Sequence, residues 1–210
     1  MKPNKLNLAI FFTLLLIIDQ VSKFIIKLNM TIGEAISVFG DWFYILFVEN
    51  PGAAFGMSFG GVAGKIFLTL FRVAAIGLLT YYILKLLKRL RSDRRSVPTG
   101  VMIGLVLIVA GAAGNLVDSL FYGMIFSEST PYEVATLFPE GGGYAPFLQG
   151  KVVDMLYFPI IKSTYPAWFP GVGGEEFIFF SPIFNLADTY ITCGFIYLLL
   201  FQHKFFMHKS

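Results

Sequence analysis

Four apolar stretches, each close to 20 residues long, dictate what this chain can become. They run over about 6–26, 66–84, 100–121 and 183–201. Roughly 20 helical residues at about 1.5 Å each cross a hydrocarbon core of about 30 Å. In lipid the backbone must satisfy its own hydrogen bonds, so such stretches become helices. Charged residues make up only 14% of the chain, whereas an ordinary soluble domain carries about 25%. The expected fold class is an all-α membrane protein: a single integral membrane domain over residues 1–210, with four transmembrane helices. A cleaved leader is the rival for the first stretch, because Lys2 and Lys5 precede it. No small-residue cleavage site follows; Asp19, Gln20 and Lys23 come instead.

Lys and Arg orient such helices, because they are retained on the cytoplasmic side. The link 85–99 carries Lys85, Lys88, Arg89, Arg91, Arg94 and Arg95 against one acid, Asp93. Lys2 and Lys5 lie at the N-terminus, Lys204 and Lys209 at the C-terminus. Ten of the 16 basic residues thus share one side with only one of the 13 acids. Both termini and the link are expected in the cytoplasm. Connections 27–65 and 122–182 then face outward. The second is rich in Gly, Pro and aromatics, as in Phe138-Pro139-Glu140-Gly141-Gly142-Gly143 and Trp168-Phe169-Pro170-Gly171. Such composition reads as turns, short strands and interfacial anchors.

This topology gathers the unusual polar residues at one leaflet. Asp19, Gln20 and Lys23 end the first stretch, Asn115 and Asp118 end the third, and Asn185 and Asp188 open the fourth. Asn50 and Asp154 lie in the outward connections. Arg72 is about 9 Å into the second stretch by helical rise. Asp19 and Lys23 are four apart; Asn115 and Asp118, like Asn185 and Asp188, are three apart. Each pair shares a helix face, and the faces can meet inside a bundle. Asp19 with Lys23 is most simply a structural ion pair. Asn115 and Asn185 serve equally as interhelical hydrogen-bond glue, and Gly111-Ala-Ala-Gly114 permits close helix packing. Asp154, within the apolar run Val152–Phe158, and Asp188, at the head of an apolar helix, have no such easy role. A carboxylate beside lipid is costly unless something uses it.

The residue inventory narrows the chemistry. The only histidines, His203 and His208, lie in the basic tail, on the wrong side for a serine–histidine mechanism, and make a poor zinc site. The lone Cys193 allows no internal disulfide or thiolate metal site and reads as a packing residue. A serine–lysine dyad using Lys23 or Lys151 stays open, but no serine has an evident pairing. Two carboxylates suffice for peptide hydrolysis: one activates water and the other, protonated, donates to the scissile carbonyl. Repulsion between them keeps one proton on the pair. No metal and no cofactor is implied.

Five pieces carry a family resemblance: Asp19-Gln-Val-Ser-Lys23, Asn50-Pro-Gly-Ala-Ala-Phe-Gly56, Gly114-Asn115-Leu-Val-Asp118, Val152-Val-Asp154 and Phe184-Asn185-Leu-Ala-Asp188. In these, in order, and over nearly the whole chain, it resembles lipoprotein signal peptidase, the type II (prolipoprotein) signal peptidase of bacteria. The resemblance implies four membrane helices with small outward, β-rich cradle elements, in the inner (cytoplasmic) membrane with the site near the outer face. It implies an aspartyl endopeptidase that removes the signal peptide on the N-terminal side of a diacylglyceryl-modified Cys. Asp154 and Asp188 align with the catalytic pair. Asn50, Gly52, Asn115 and Asn185 align with substrate-binding positions, and Asp19, Lys23 and Asp118 with supporting ones. The implied partners are a diacylglyceryl-prolipoprotein substrate, membrane lipid and inhibitors like the cyclic peptide globomycin. No nucleic acid is implied, and a monomer is expected.

Two departures stand out. Many members have Arg directly after the aspartate of the third piece, where this chain has Ser119. Arg72 is the candidate replacement; its bland role is snorkelling toward lipid phosphate. Residues about 127–149 and 163–178 read as insertions, and the first is expected to lie over the groove containing Asp154 and Asp188. The rival from another class is a small proton-coupled transporter or channel, since intramembrane carboxylates also mark ion pathways. Such a protein places charges through its depth, often with inverted repeats, whereas these cluster at one end. A membrane scaffold would explain 122–182 but not the paired aspartates.

Overall fold

The computed structural model describes residues 4–51, 61–93, 96–179 and 182–207. Helix α1 (Lys5–Asn29) starts where the Asn4 side chain accepts the Asn7 N–H at 2.8 Å, satisfying one of the free donors of the first turn. Strands β1 (Ala35–Phe39) and β2 (Phe43–Asn50) follow, then α2 (Gly61–Ser92). Helix α3 (Thr99–Val117) widens into a π-helical turn, Asp118–Tyr122, and closes with the short α4 (Gly123–Ile125). Strands β3 (Val152–Tyr157), β4 (Ile161–Thr164), β5 (Glu176–Phe179) and β6 (Ile183–Phe184) precede α5 (Leu186–Phe201) and α6 (His203–Met207).

Among the described residues, three helices are long and apolar enough to cross a membrane: Lys5–Asn29, Gly61–Ser92 and the continuous Thr99–Ile125. The fourth, α5, has 16 residues. The protein is therefore a helical membrane protein with three long apolar helices, a shorter one and a small antiparallel sheet. The fourth apolar stretch differs from the expected 183–201 at its start. Ile183 and Phe184 pair with Tyr157 and Leu156 as strand β6, and the helix begins only after Asn185 caps it. A short apolar run is ambiguous between strand and helix until a partner strand is present.

Helix α3 packs against α1, α2 and α5. Lipid offers no hydrophobic drive between helices, so close approach through small residues takes its place. A Cβ at Gly104 would meet Leu198 Cδ2 at 2.6 Å, and one at Gly194 would meet the Gly104 carbonyl at 2.8 Å. One at Gly111 would collide with the Ala187 carbonyl. The faces turned away from the bundle carry Ile10, Leu14, Ile17, Val21 and Ile25 of α1 and Phe67, Phe71 and Leu78 of α2.

The main sheet runs β1-β2-β3-β6, and β4 and β5 form a separate hairpin. In the β2–β3 ladder Val48 faces Asp154, Glu49 faces Val153 and Asn50 faces Val152. Successive side chains alternate, so Asn50 and Asp154 share one face while Glu49 and Val153 share the other. That second face covers an apolar cluster of Ile26, Met30, Phe47, Tyr122, Phe126, Val153 and Met155.

The two expected insertions adopt different forms. Residues 163–178 build most of the β4–β5 hairpin, with Trp168 78% exposed at its tip. Residues 127–149 are tied to the end of the third helix. Tyr144 N donates to Phe126 O at 3.0 Å and Ala145 N to Gly123 O at 2.9 Å, and Ile32 N donates to Thr130 O at 3.0 Å. None of the hydrogen bonds described for this segment reaches Asp154 or Asp188. Irregular backbone in lipid is tolerated only where it is tied down, and these bonds do so.

The α3–α5 contact generates a prediction. Gly111→Ala forces the helices apart at Ala187 and is expected to cost about 1–3 kcal/mol, as overpacking typically does. Gly77→Ala, where a Cβ meets nothing within 4 Å, is expected to leave stability unchanged or raise it by up to about 1 kcal/mol. Thermal unfolding of the purified proteins in one detergent checks both.

Candidate active site

The site is built around an ammonium. On α1, Asp19, Lys23 and Lys27 recur every four residues and are all buried. Lys23 Nζ lies 3.0 Å from Asp19 Oδ2, 2.8 Å from Asp118 Oδ2 and 2.9 Å from Asn115 Oδ1. Gln20 Nε2 donates to Asp19 at 3.1 Å and to Asp118 at 3.0 Å, and its carbonyl accepts from the Tyr122 hydroxyl at 3.2 Å. The remaining capacity of the two carboxylates goes to backbone. Ala187 N donates to Asp19 Oδ1 at 3.0 Å and Val153 N to Asp118 Oδ2 at 3.3 Å. Those amides belong to the chain neighbours of Asp188 and Asp154.

Amides link the two remaining aspartates. Asn185 Nδ2 donates to Asp154 Oδ1 at 2.7 Å and to Asn115 Oδ1 at 3.1 Å. Asn115 Nδ2 donates to Asp188 Oδ1 at 2.8 Å. Asn185 and Asp188 also form a capping box: Asp188 N donates to Asn185 Oδ1 at 2.9 Å and Asn185 N to Asp188 Oδ2 at 3.3 Å. The same residues thus start α5 and aim the Asp188 carboxylate. Asp154 is only 5% exposed, and the Asn50 side chain also hydrogen-bonds to it. Burial, and then the charge of Asp188, push the Asp154 carboxyl up to about 7, against the opposing hydrogen bonds of Asn185 and Asn50. Such a pair, with a proton held on one member near neutral pH, has the equipment for general acid–base catalysis on an amide.

Arg72 approaches from α2. Its Nη1 donates to Ser119 Oγ at 3.0 Å, and Ser119 Oγ donates in turn to the Asn115 carbonyl at 3.0 Å. Its guanidinium interacts with the charges of Asp188, Asp118 and Asp154. A cation from a different helix is therefore bonded to Ser119, where the resemblance leads to the expectation of an Arg.

The structure brings together Asp19, Lys23, Arg72, Asn115, Asp118, Asp154, Asn185 and Asp188, with Asn50 on the same sheet face as Asp154. Gly52 lies outside the described residues, as do Lys2, Arg94, Arg95, His208 and Lys209. His203 opens α6, at the far end of α5 from Asp188. Neither lysine considered for a serine–lysine dyad meets a serine in the described contacts: Lys23 is held by Asp19 and Asp118, and Lys151 by Glu49 and Glu128. A serine and a lysine do meet elsewhere, Lys27 Nζ donating to Ser129 Oγ at 2.8 Å, but both are buried and Lys27 is bound by the Glu49 carboxylate.

Sequence reasoning missed the Lys27–Glu49–Lys151 cluster and the π-helical turn. Lys27 had a signal, since it continues the spacing of Asp19 and Lys23. Glu49 had none, because its partners come from three distant segments.

The family model described as signal peptidase (SPase) II matches residues 11–204. A lipoprotein signal peptidase of Porphyromonas gingivalis is 47% identical over 198 residues, covering 94% of this chain and 83% of that protein. One of Amoebophilus asiaticus is 36% identical over 183 residues, covering 86% and 71%. One of Fusobacterium nucleatum is 31% identical over 200 residues, covering 95% and 87%. A bacterial membrane enzyme solved by the in meso method at 2.3 Å superposes with a TM-score of 0.62 and 22% identity, covering 100% of this chain and 94% of that one. That last likeness concerns the fold.

The buried ammonium generates a prediction. Lys23→Met strands Asp19 and Asp118 without their shared cation and is expected to cost about 3–5 kcal/mol, the usual penalty for breaking a buried pair. Denaturation in mixed micelles checks this, with the solvent-side Lys88→Met as the control.

Proposed function

The chain belongs to the signal peptidase II family, and from that premise we propose that Asp154 and Asp188 are the catalytic pair that cuts signal peptides from prolipoproteins. The cut falls on the N-terminal side of a diacylglyceryl-modified Cys. The observation that carries this reading is the Asn185 side chain. It holds Asp154 directly and Asp188 through the capping box, so one residue positions both carboxyl groups.

The chemistry follows from those surroundings. Asp154 keeps a proton to about pH 7 and is the general acid. Asp188, accepting from Asn115 and from the Asn185 N–H, is the base. Asp188 takes a proton from water as the water oxygen bonds to the scissile carbonyl carbon, and Asp154 gives its proton to the carbonyl oxygen. The resulting diol collapses when the C–N bond breaks. The Asp188 proton goes to the departing cysteine nitrogen, and Asp154 recovers its own. No metal enters these steps. Asn50, Asn115 and Asn185 hold the carboxyls and face substrate. Gly52 is assigned to substrate binding from its motif. Asp19, Lys23, Asp118 and Arg72 support the site.

The enzyme works in a bacterial membrane with several helical spans. The basic residues Lys85, Lys88, Arg89 and Arg91 end α2, and the described polar site lies toward the opposite end of the bundle. This arrangement supports cytoplasmic termini and a site near the outer face of the inner membrane. A lipidated substrate then reaches Asp154 and Asp188 sideways from the outer leaflet, and a globomycin-like cyclic peptide would bind by occupying the same groove. The working unit is a monomer.

Asp154→Asn and Asp188→Asn should each reduce turnover of a lipidated precursor to background with unchanged helix content, and the double variant should lose no more, because the pair acts as a unit. Substantial turnover by either folded single variant would sink the assignment. The proton on Asp154 is present below its raised value and lost above it, so kcat should fall as pH climbs through about 7; a pH–rate profile that stays flat to pH 9 would contradict it. Arg72→Ala should lower kcat/KM by about tenfold or more, the scale of losing a charged hydrogen bond. Lys88→Ala should leave it unchanged.

A further inference from the structure

Beneath the sheet, on the face opposite Asp154, lies a second buried ion cluster that the hydrolytic steps do not use. The Glu49 side chain is 3% exposed and is gripped by Lys27 of α1 and by Lys151, 3.1 Å from Glu49 Oε2. Ser129 Oγ donates to the same carboxylate at 3.1 Å. The Tyr144 ring lies 5.1 Å from the ammonium of each lysine, and its hydroxyl accepts the Lys151 N–H at 2.6 Å. Burial works against the charge on Glu49, yet Lys27 and Lys151 hold it below the usual carboxylate range. The cluster ties together α1, β2, the segment before β3 and the 127–149 insertion.

Its place in the ladder gives it a consequence for the site. Glu49 precedes Asn50 and lies opposite Val153, while Lys151 stands three residues before Asp154. The β2–β3 pairing is irregular between Ile45 and Val48, so the register beyond it is not inherited from the residues before it. Alternation of polarity gives little help, because Val152, Val153, Asp154 and Met155 are all buried. A one-residue slip would send Asn50 and Asp154 to opposite faces. The register at this point needs a specific polar lock, and the only carboxylate of β2 supplies one.

We propose that Glu49 is a positioning residue of the protease: gripped by Lys27 and Lys151, it fixes the β2–β3 register that brings the Asn50 amide onto the Asp154 carboxyl. The inference rests on the assignment of Asp154 as a catalytic group. Glu49 itself touches neither substrate nor the reacting atoms.

The test compares Glu49→Gln, Glu49→Asp, Lys151→Met and Asp154→Asn in the full chain, purified in lipid nanodiscs, on a diacylglyceryl-modified precursor peptide. Glu49→Gln is expected to lower kcat by about tenfold to a hundredfold, the scale of a small misplacement of catalytic groups, with KM within about twofold. Loss of the Asn50 hydrogen bond removes support for the ionised form of Asp154, so the alkaline limb of the kcat profile should move to higher pH. Glu49→Asp, which keeps the charge, should return the limb toward its original position. Lys151 is 26% exposed, so Lys151→Met should fold and show the same displacement; it decides the matter alone if Glu49→Gln does not fold. Unchanged kcat and an unmoved limb in the folded variants, with only a lowered Tm, would overturn the inference and leave Glu49 a structural residue. Turnover by Asp154→Asn would instead remove the catalytic assignment, and this inference with it. An inert Asp154→Asn beside unmoved limbs in the other variants would overturn this inference alone.

Discussion

One buried ammonium organises the protein. Lys23 is shared by Asp19, Asp118 and Asn115, so α1 and α3 cannot separate without stranding charge in a medium that does not solvate it. The two carboxylates it holds then bond the backbone N–H groups of Ala187 and Val153. Each of those residues precedes an aspartate of the proposed pair. The positions of Asp154 and Asp188 are thus set by a charge that bonds to neither of them, and chemistry and helix packing share one cause.

Helix α1 consequently presents a face that a soluble helix would turn outward. Asp19, Lys23 and Lys27 point into the protein, while Ile10, Leu14, Ile17 and Val21 point away from it. Lipid makes the exposed aliphatic side costless, and paired partners make the charged side tolerable. The same environment separates two chemically identical side chains. Asp154 is buried in a strand and keeps its proton toward neutrality; Asp188 heads a helix with its carboxylate held by Asn115 and the Asn185 N–H. That difference in surroundings supports the proposed roles of acid and base.

The features expected to depart from the family pattern are organised through space rather than along the chain. Ser119 stands where an Arg is expected, and Arg72 reaches it from α2. The insertion 127–149 contributes Ser129 and Tyr144 to the Glu49 cluster, so it braces the sheet from behind. The other insertion becomes a hairpin in which Tyr165 packs on Phe177, with ring centroids 4.6 Å apart.

Much of this was legible in the residues. Apolar length gave the helices, because a bilayer admits little else. Spacings of three and four put Asn115 with Asp118, Asn185 with Asp188 and Asp19 with Lys23, since helical periodicity is local. The order of five short motifs pointed to the family. Other features were invisible for a physical reason: they depend on contacts between segments far apart in the chain. Glu49 finds Lys27 and Lys151 from 22 residues before it and from the segment leading into β3. Phe184 becomes a strand only because Leu156 lies beside it. The sequence by itself determined that the chain enters a membrane and which carboxylates are too costly to be idle. Only the tertiary structure decided which amide holds which carboxylate, and so where the proton resides, because burial and charge at Asp154 are properties of its neighbours.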